Sequence, residues 1–148
     1  MESPALPVPA PARVLLVDDD RAVRETTADL LVILGFDVVP AVNGEDALQQ
    51  LGRHAVDIIV TDIVMPKKDG YALLAAVRAQ PATRGIPILM LSAKADKPDI
   101  RKGITDGADD YLTKPFDSTE LIDAINRLLK RRPARHESTE GRPPTASA

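Results

Sequence analysis

Val14-Leu15-Leu16-Val17-Asp18-Asp19 and Ile58-Ile59-Val60-Thr61-Asp62 decide the fold of this chain. Each is a short aliphatic run closed by acid, and such a run bounded by charge reads as a strand buried on both faces of a parallel sheet. A third run, Tyr111-Leu112-Thr113, ends on Lys114. Functional groups in an open parallel sheet gather at the carboxyl ends of the strands. One edge is therefore expected to hold the carboxylates of Asp18, Asp19 and Asp62 with the ammonium of Lys114. Neighbouring carboxylates repel, and each resists ionisation beside the others. The cluster reads as a seat for a metal cation and an anion.

Outward from these runs, strand and helix patterns alternate with short links. Val23, Thr27, Leu30, Leu31 and Leu34 recur at helical spacing, and Gly35 supplies the residue that turns left-handed past the helix end. Phe36 to Val39 reads as the second strand, Asn43 as the N-cap of a short helix through Ala47, Leu48 and Leu51, and Asp57 to Thr61 as the third strand. Gly70 opens a helix carrying Leu73, Leu74 and Val77, which Pro81 ends. Ile86 to Leu91 follows as a strand, Pro98 to Thr105 as a polar helix interrupted by Gly103, and Asp109 to Thr113 as the fifth strand. The last helix starts at Asp117, with Glu120 set as the acidic partner of a capping box, and runs through Leu121, Ile122, Ile125, Leu128 and Leu129. Five strands alternating with five helices demand a parallel sheet with right-handed crossovers and helices on both faces. The flavodoxin-like α/β fold, with strand order 2-1-3-4-5, is the most economical solution. It makes the first and third strands neighbours, so Asp18, Asp19 and Asp62 share one crevice, and it brings Ser92 and Lys114 to the same edge.

The 148 residues contain 44% hydrophobic and 28% charged side chains, which fits one soluble domain with one core. The compact unit spans residues 12–132; the Pro-rich 1–11 and the Pro, Ser, Thr and Arg-rich 133–148 read as disordered tails. The absence of cysteine removes thiol catalysis and cysteine-based metal sites and is compatible with a reducing compartment. A net charge of −3 offers no footprint for wrapping nucleic acid. The late cluster Arg127, Lys130, Arg131, Arg132 and Arg135 reads as a solvated helix end complementing the macrodipole. No apolar run approaches the ~20 residues of a membrane span, and the first residues lack the basic start and apolar core of a secretory signal. A cytoplasmic protein is expected.

Taken together, Val17-Asp18-Asp19-Asp20, Thr61-Asp62-Ile63-Val64-Met65-Pro66 with Asp69-Gly70, Leu91-Ser92-Ala93, and Tyr111-Leu112-Thr113-Lys114-Pro115-Phe116 resemble the receiver domain of two-component response regulators, the CheY-like family. The resemblance covers residues 12 to about 132, and four motifs in order at matching separations make it specific. It implies that Asp62 is a phosphoacceptor taking a phosphoryl group from a phosphohistidine of a sensor histidine kinase or phosphotransfer protein. It implies Mg²⁺ on Asp18, Asp19, Asp62 and the backbone carbonyl of Val64. Lys114 would pair with Asp62 and then with the phosphoryl oxygens, behind a Lys114–Pro115 bond that the family often holds cis. Ser92 would offer its hydroxyl to the phosphoryl group, Tyr111 would act as the switch ring, and Val64 and Lys94 would tune the lifetime of the acyl phosphate.

By the same resemblance, output passes to a downstream protein through the face made by the fourth predicted helix, the fifth strand and the last helix. A homodimer through that face is a hypothesis, since Glu120-Leu121-Ile122-Asp123-Ala124 lacks the Arg that such dimers commonly put after the Ala. Asp20 is expected to cap the first helix rather than ligate metal.

Two other classes compete. Asp18 and Asp20 superficially form the Asp-x-Asp of haloacid-dehalogenase-like Mg²⁺ phosphohydrolases, but Ala22 stands where Thr or Val is usual, and Asp62 is left unexplained. A phosphorylation-independent interaction module would keep the receiver fold only as a scaffold. Beyond slow self-dephosphorylation, no enzyme is expected.

Overall fold

In a computed structural model, residues 11–63, 69–92 and 108–130 are described. The described elements are β1 (Arg13–Val17), α1 (Arg21–Ile33), β2 (Asp37–Ala41), α2 (Gly44–Leu51), β3 (Ile58–Asp62), α3 (Gly70–Ala79), β4 (Ile88–Ser92), β5 (Asp110–Thr113) and α4 (Ser118–Leu129). The five strands form one sheet in the order β2-β1-β3-β4-β5, with every pairing parallel. The expected fold class is the observed one. Four helices are seen among the described residues. The helix expected over Pro98 to Thr105 lies outside them, as do both expected tails except Pro11.

Alternation along each strand divides the core, because successive side chains point to opposite faces. Leu15, Val17 and Ile59 pack against Ala47 of α2 and Leu73, Leu74 and Val77 of α3. Val14, Leu16, Ile58, Val60, Leu89 and Leu91 pack on the other face against Leu31 of α1 and Leu121, Ala124, Ile125 and Leu128 of α4. Full burial of an aliphatic side chain stabilises by about 1.5–3 kcal/mol, so these two layers fix the helices on either face of the sheet. Pro40 is tolerated inside β2 because that strand lies at the sheet edge.

Helix ends follow the capping rules. Asp20, Asn43, Asp69 and Asp117 each accept a backbone N–H of the first turn, and Asp117 and Glu120 close a full capping box. Gly35 has φ of 100°, the left-handed conformation that ends α1. Several strands begin later than their apolar runs. Asp57, just before β3, accepts from the Arg13 backbone N–H at 2.7 Å, and Asp109 accepts from Ile88 N at 2.8 Å and Arg78 Nη2 at 2.7 Å. Phe36 N donates to Leu31 O at 3.0 Å as part of the α1 exit, so it belongs to the turn rather than to β2. These residues tie loops at the amino edge of the sheet and leave the carboxyl edge clear.

Candidate functional site

At the carboxyl edge, β1 and β3 lie side by side with Val17 opposite Thr61. Asp18 and Asp19 follow the first strand directly, and Asp62 ends the second. One carboxylate oxygen from each of the three lies within 4.8 Å of the others. Asp18 is buried, Asp62 half-buried and Asp19 exposed, so the group opens to solvent through Asp19.

The Asp18 loop is held from several directions. Its N–H donates to Ala41 O at the end of β2 (3.1 Å), its Oδ1 accepts from Asp20 N (2.9 Å), and its carbonyl accepts from Arg24 Nη1 (2.8 Å). Asp62 Oδ1 accepts from Ile63 N at 3.1 Å and stands 3.4 Å from Lys114 Nζ. Lys114 is set by its own backbone, whose N–H donates to Ser92 O at 2.7 Å in continuation of the β4–β5 ladder, and its bond to Pro115 is cis.

Burial is the main force raising the pKa of both Asp18 and Asp62 above the ordinary carboxylate value. For Asp18 the Asp20 N–H and the Lys114 charge oppose the rise, while Asp19 and Asp20 add to it. For Asp62 the Lys114 ammonium opposes and the Asp18 charge adds. Acids whose ionisation is made costlier by burial and by one another are the donor set a small hard cation relieves, since it supplies the missing positive charge to oxygen ligands.

Ser92 ends β4 one residue past the Asp62–Leu91 pair. It is fully buried, and its Oγ has no hydrogen-bond partner among the described residues. Tyr111, on β5 opposite Met90, has a buried hydroxyl and packs its ring against the core layer beneath α2 and α3. The structure thus brings Asp18, Asp19, Asp62 and Lys114 to one crevice, with Ser92 at the end of the strand between β3 and β5. Val64 and Lys94 lie outside the described residues.

Two contributions to the site were not read from sequence. Arg24 reaches back six positions to the Asp18 carbonyl, a distance with no motif attached to it. Gly70 was read as a helix start and as part of the Asp69-Gly70 motif, without a packing role, yet a Cβ there would sit 2.7 Å from the Asp62 carbonyl oxygen and 3.0 Å from Ile63 Cα. The first turn of α3 therefore touches the backbone that carries Asp62.

The profile of the response regulator receiver domain matches residues 14–126. The chain belongs to this receiver domain family. It is 41% identical over 113 residues to protein PilG of Pseudomonas aeruginosa, covering 76% of this chain and 84% of PilG. It is 41% identical over 119 residues to the transcriptional regulatory protein CpxR of Escherichia coli, covering 80% of this chain and 50% of CpxR. The chain thus spans about half the length of CpxR and of several other curated relatives. Among solved structures, the chemotaxis protein CheY4 of Vibrio cholerae aligns with a TM-score of 0.76 at 33% identity, over 80% of this chain and 99% of that one. The receiver domain of a sensor histidine kinase from Pseudomonas aeruginosa, with a magnesium ion coordinated in its active site cleft, aligns with a TM-score of 0.75 at 32% identity over 82% and 99%. The receiver family acts in signalling rather than in turnover of metabolites, and no described helix is long and apolar enough to cross a membrane.

Proposed function

We propose that this receiver accepts a phosphoryl group on Asp62 from a phosphohistidine of a sensor kinase or phosphotransfer protein. The observation that carries the reading is the convergence of three carboxylates within 4.8 Å with an ammonium 3.4 Å from the most strand-terminal of them. In the step, an Asp62 carboxylate oxygen bonds to phosphorus as the P–N bond breaks, and the electron pair goes to the imidazole nitrogen, which takes a proton from solvent. Lys114 neutralises Asp62 before the step and the phosphoryl oxygens after it. Phosphoryl transfer asks mainly for such positioning and charge balance.

Asp18, Asp19 and Asp62 suit Mg²⁺ as an all-oxygen, anionic donor set. Bound there, the ion would neutralise the carboxylates and a phosphoryl oxygen together. The half-buried Asp62 stays reachable by a donor, while Asp18 is withheld from solvent. Ser92 is the donor for another phosphoryl oxygen, and its buried, unmatched Oγ supports that role. Movement of Ser92 toward the modified Asp62 then biases Tyr111 and the surface of β5 and α4 toward the state that a downstream protein binds. A phosphoryl group shifts that equilibrium only by its differential interaction with the two states.

Incubation with Mg²⁺ and acetyl phosphate should add one phosphoryl mass, and Asp62→Asn should abolish the addition with the fold unchanged. Beryllofluoride should shift amide signals around Ser92 and Tyr111. Normal labelling of Asp62→Asn would remove the site assignment. No response by the intact protein would leave a receiver-fold scaffold that works without phosphorylation.

A further inference from the structure

Of the acids in the crevice, Asp18 and Asp62 have their side chains oriented by hydrogen bonds to Asp20 N and Ile63 N. Asp19 differs. It is exposed, and no hydrogen bond holds its carboxylate among the described residues. Its direction is therefore inherited from its backbone, beginning with the peptide plane that joins it to Asp18. The carbonyl of that plane accepts the Arg24 guanidinium at 2.8 Å. Arg24 is itself fixed in the first turn of α1, where its N–H donates to Asp20 O at 2.9 Å. A planar guanidinium on a helix is a pre-organised donor that loses little freedom on making such a bond.

We propose that Arg24 is a positioning residue for the acidic cluster: by holding the Asp18–Asp19 peptide plane it aims the Asp19 carboxylate at Asp18 and Asp62, and so sets the affinity for a divalent cation. The inference rests on the reading of that cluster as the cation site. Charge and geometry give opposite signs. Arg24 is a positive charge beside the cluster, so by Coulomb repulsion alone its removal tightens cation binding. Loss of an orienting partner behind a metal ligand instead weakens binding, on the order of tenfold.

The test is a Mg²⁺ titration of the full chain followed by amide shifts, for wild type, Arg24→Met and Arg24→Lys, with thermal unfolding alongside. Arg24→Met keeps the aliphatic stem and loses the donors, and its Kd for Mg²⁺ is expected to rise by about tenfold. Arg24→Lys keeps a donor and the charge and should bind closer to wild type than Arg24→Met does. An unchanged or lower Kd in Arg24→Met, whatever its melting temperature, overturns the proposal and leaves Arg24 a structural tie. If Arg24→Met does not fold, Arg24→Leu, which likewise lacks a donor, decides by the same Kd criterion. Absence of any saturable Mg²⁺ response in wild type would instead sink the cation-site reading, and this inference with it.

Discussion

The Lys114 ammonium reaches from the end of β5 across β4 to within 3.4 Å of Asp62 Oδ1 at the end of β3. It opposes the two influences that raise the Asp62 pKa, its burial and the neighbouring Asp18 charge. On the proposed function, the cation that would face a phosphoryl group also favours the ionised form of the carboxylate. Placement on a third strand also makes the pair sensitive to any shift of β4 and β5.

Lys114→Met removes this opposition, so the Asp62 pKa should move further upward. Carboxyl-carbon NMR titration of the metal-free protein reads the shift directly. Acceptance of phosphate from acetyl phosphate should slow by roughly 10²-fold, as when a charge-stabilising donor is removed from other transfer sites. An Asp62 pKa that falls or stays constant contradicts the charge balance described.

Folding raises the pKa of Asp18 and Asp62 from 3.8, so each binds more protons folded than unfolded between that value and its raised one. Their penalty is absent below the window, grows as pH rises through it, and is full above it. Asp62→Asn removes one of the two ionising groups. In chelator at a pH above the window it should be the more stable protein, and its advantage should shrink as pH falls through the window. Saturating Mg²⁺ should reverse the order, because only wild type keeps the whole donor set. Urea midpoints at several pH values check this, and an advantage that grows on acidification contradicts the sign.

Gly70→Ala should impair stability and site together. Its Cβ would meet Asp62 O at 2.7 Å, Ile63 Cα at 3.0 Å and Met90 Cε at 3.1 Å, and the first two are backbone that cannot swing aside. Relief requires α3 to back away or the end of β3 to shift, at a cost of about 1–3 kcal/mol. Denaturant unfolding measures the loss, and the amide signals of Asp62 and Ile63 should move most. A variant as stable as wild type would mean that α3 has more freedom than its packing indicates.

Asp57→Ala separates stability from site chemistry. Asp57 is buried at the opposite edge of the sheet, where it accepts the Arg13 backbone N–H at 2.7 Å. Stranding that donor costs about 1–3 kcal/mol. Mg²⁺ affinity of the folded protein should be unchanged, and a Kd that weakens along with stability would show the two edges to be coupled.

Strand order and the crevice were legible because each buried strand is an uninterrupted apolar run stopped by a charge, as at Val17–Asp18 and Thr113–Lys114. Caps were legible for a local reason: Asn43 and Asp117 satisfy N–H groups within three residues of themselves. Strand starts were not, since Asp57 and Asp109 are committed to partners 44 and 21 residues away in the chain. Arg24 was missed because a guanidinium on a backbone carbonyl leaves no spacing rule in sequence. The crowding at Gly70 likewise exists only once α3 packs against β3.

Ser92→Ala distinguishes a phosphoryl donor from a packing residue. The Ser92 Oγ is fully buried, with no partner among the described residues, so the resting fold gains little from it. Removing an unmatched buried hydroxyl is expected to leave stability within about 0.5 kcal/mol of wild type, or to raise it. If the hydroxyl serves the phosphoryl group, the same variant should bind beryllofluoride more weakly, by roughly tenfold, the worth of one hydrogen bond to a charged group. Its Kd for Mg²⁺ alone should not change, because Ser92 is not among the three clustered carboxylates. Titrations of the two ligands on one sample read both quantities. Equal weakening for Mg²⁺ and beryllofluoride would point to a disturbed crevice, and undiminished beryllofluoride binding would remove Ser92 from the phosphoryl contacts.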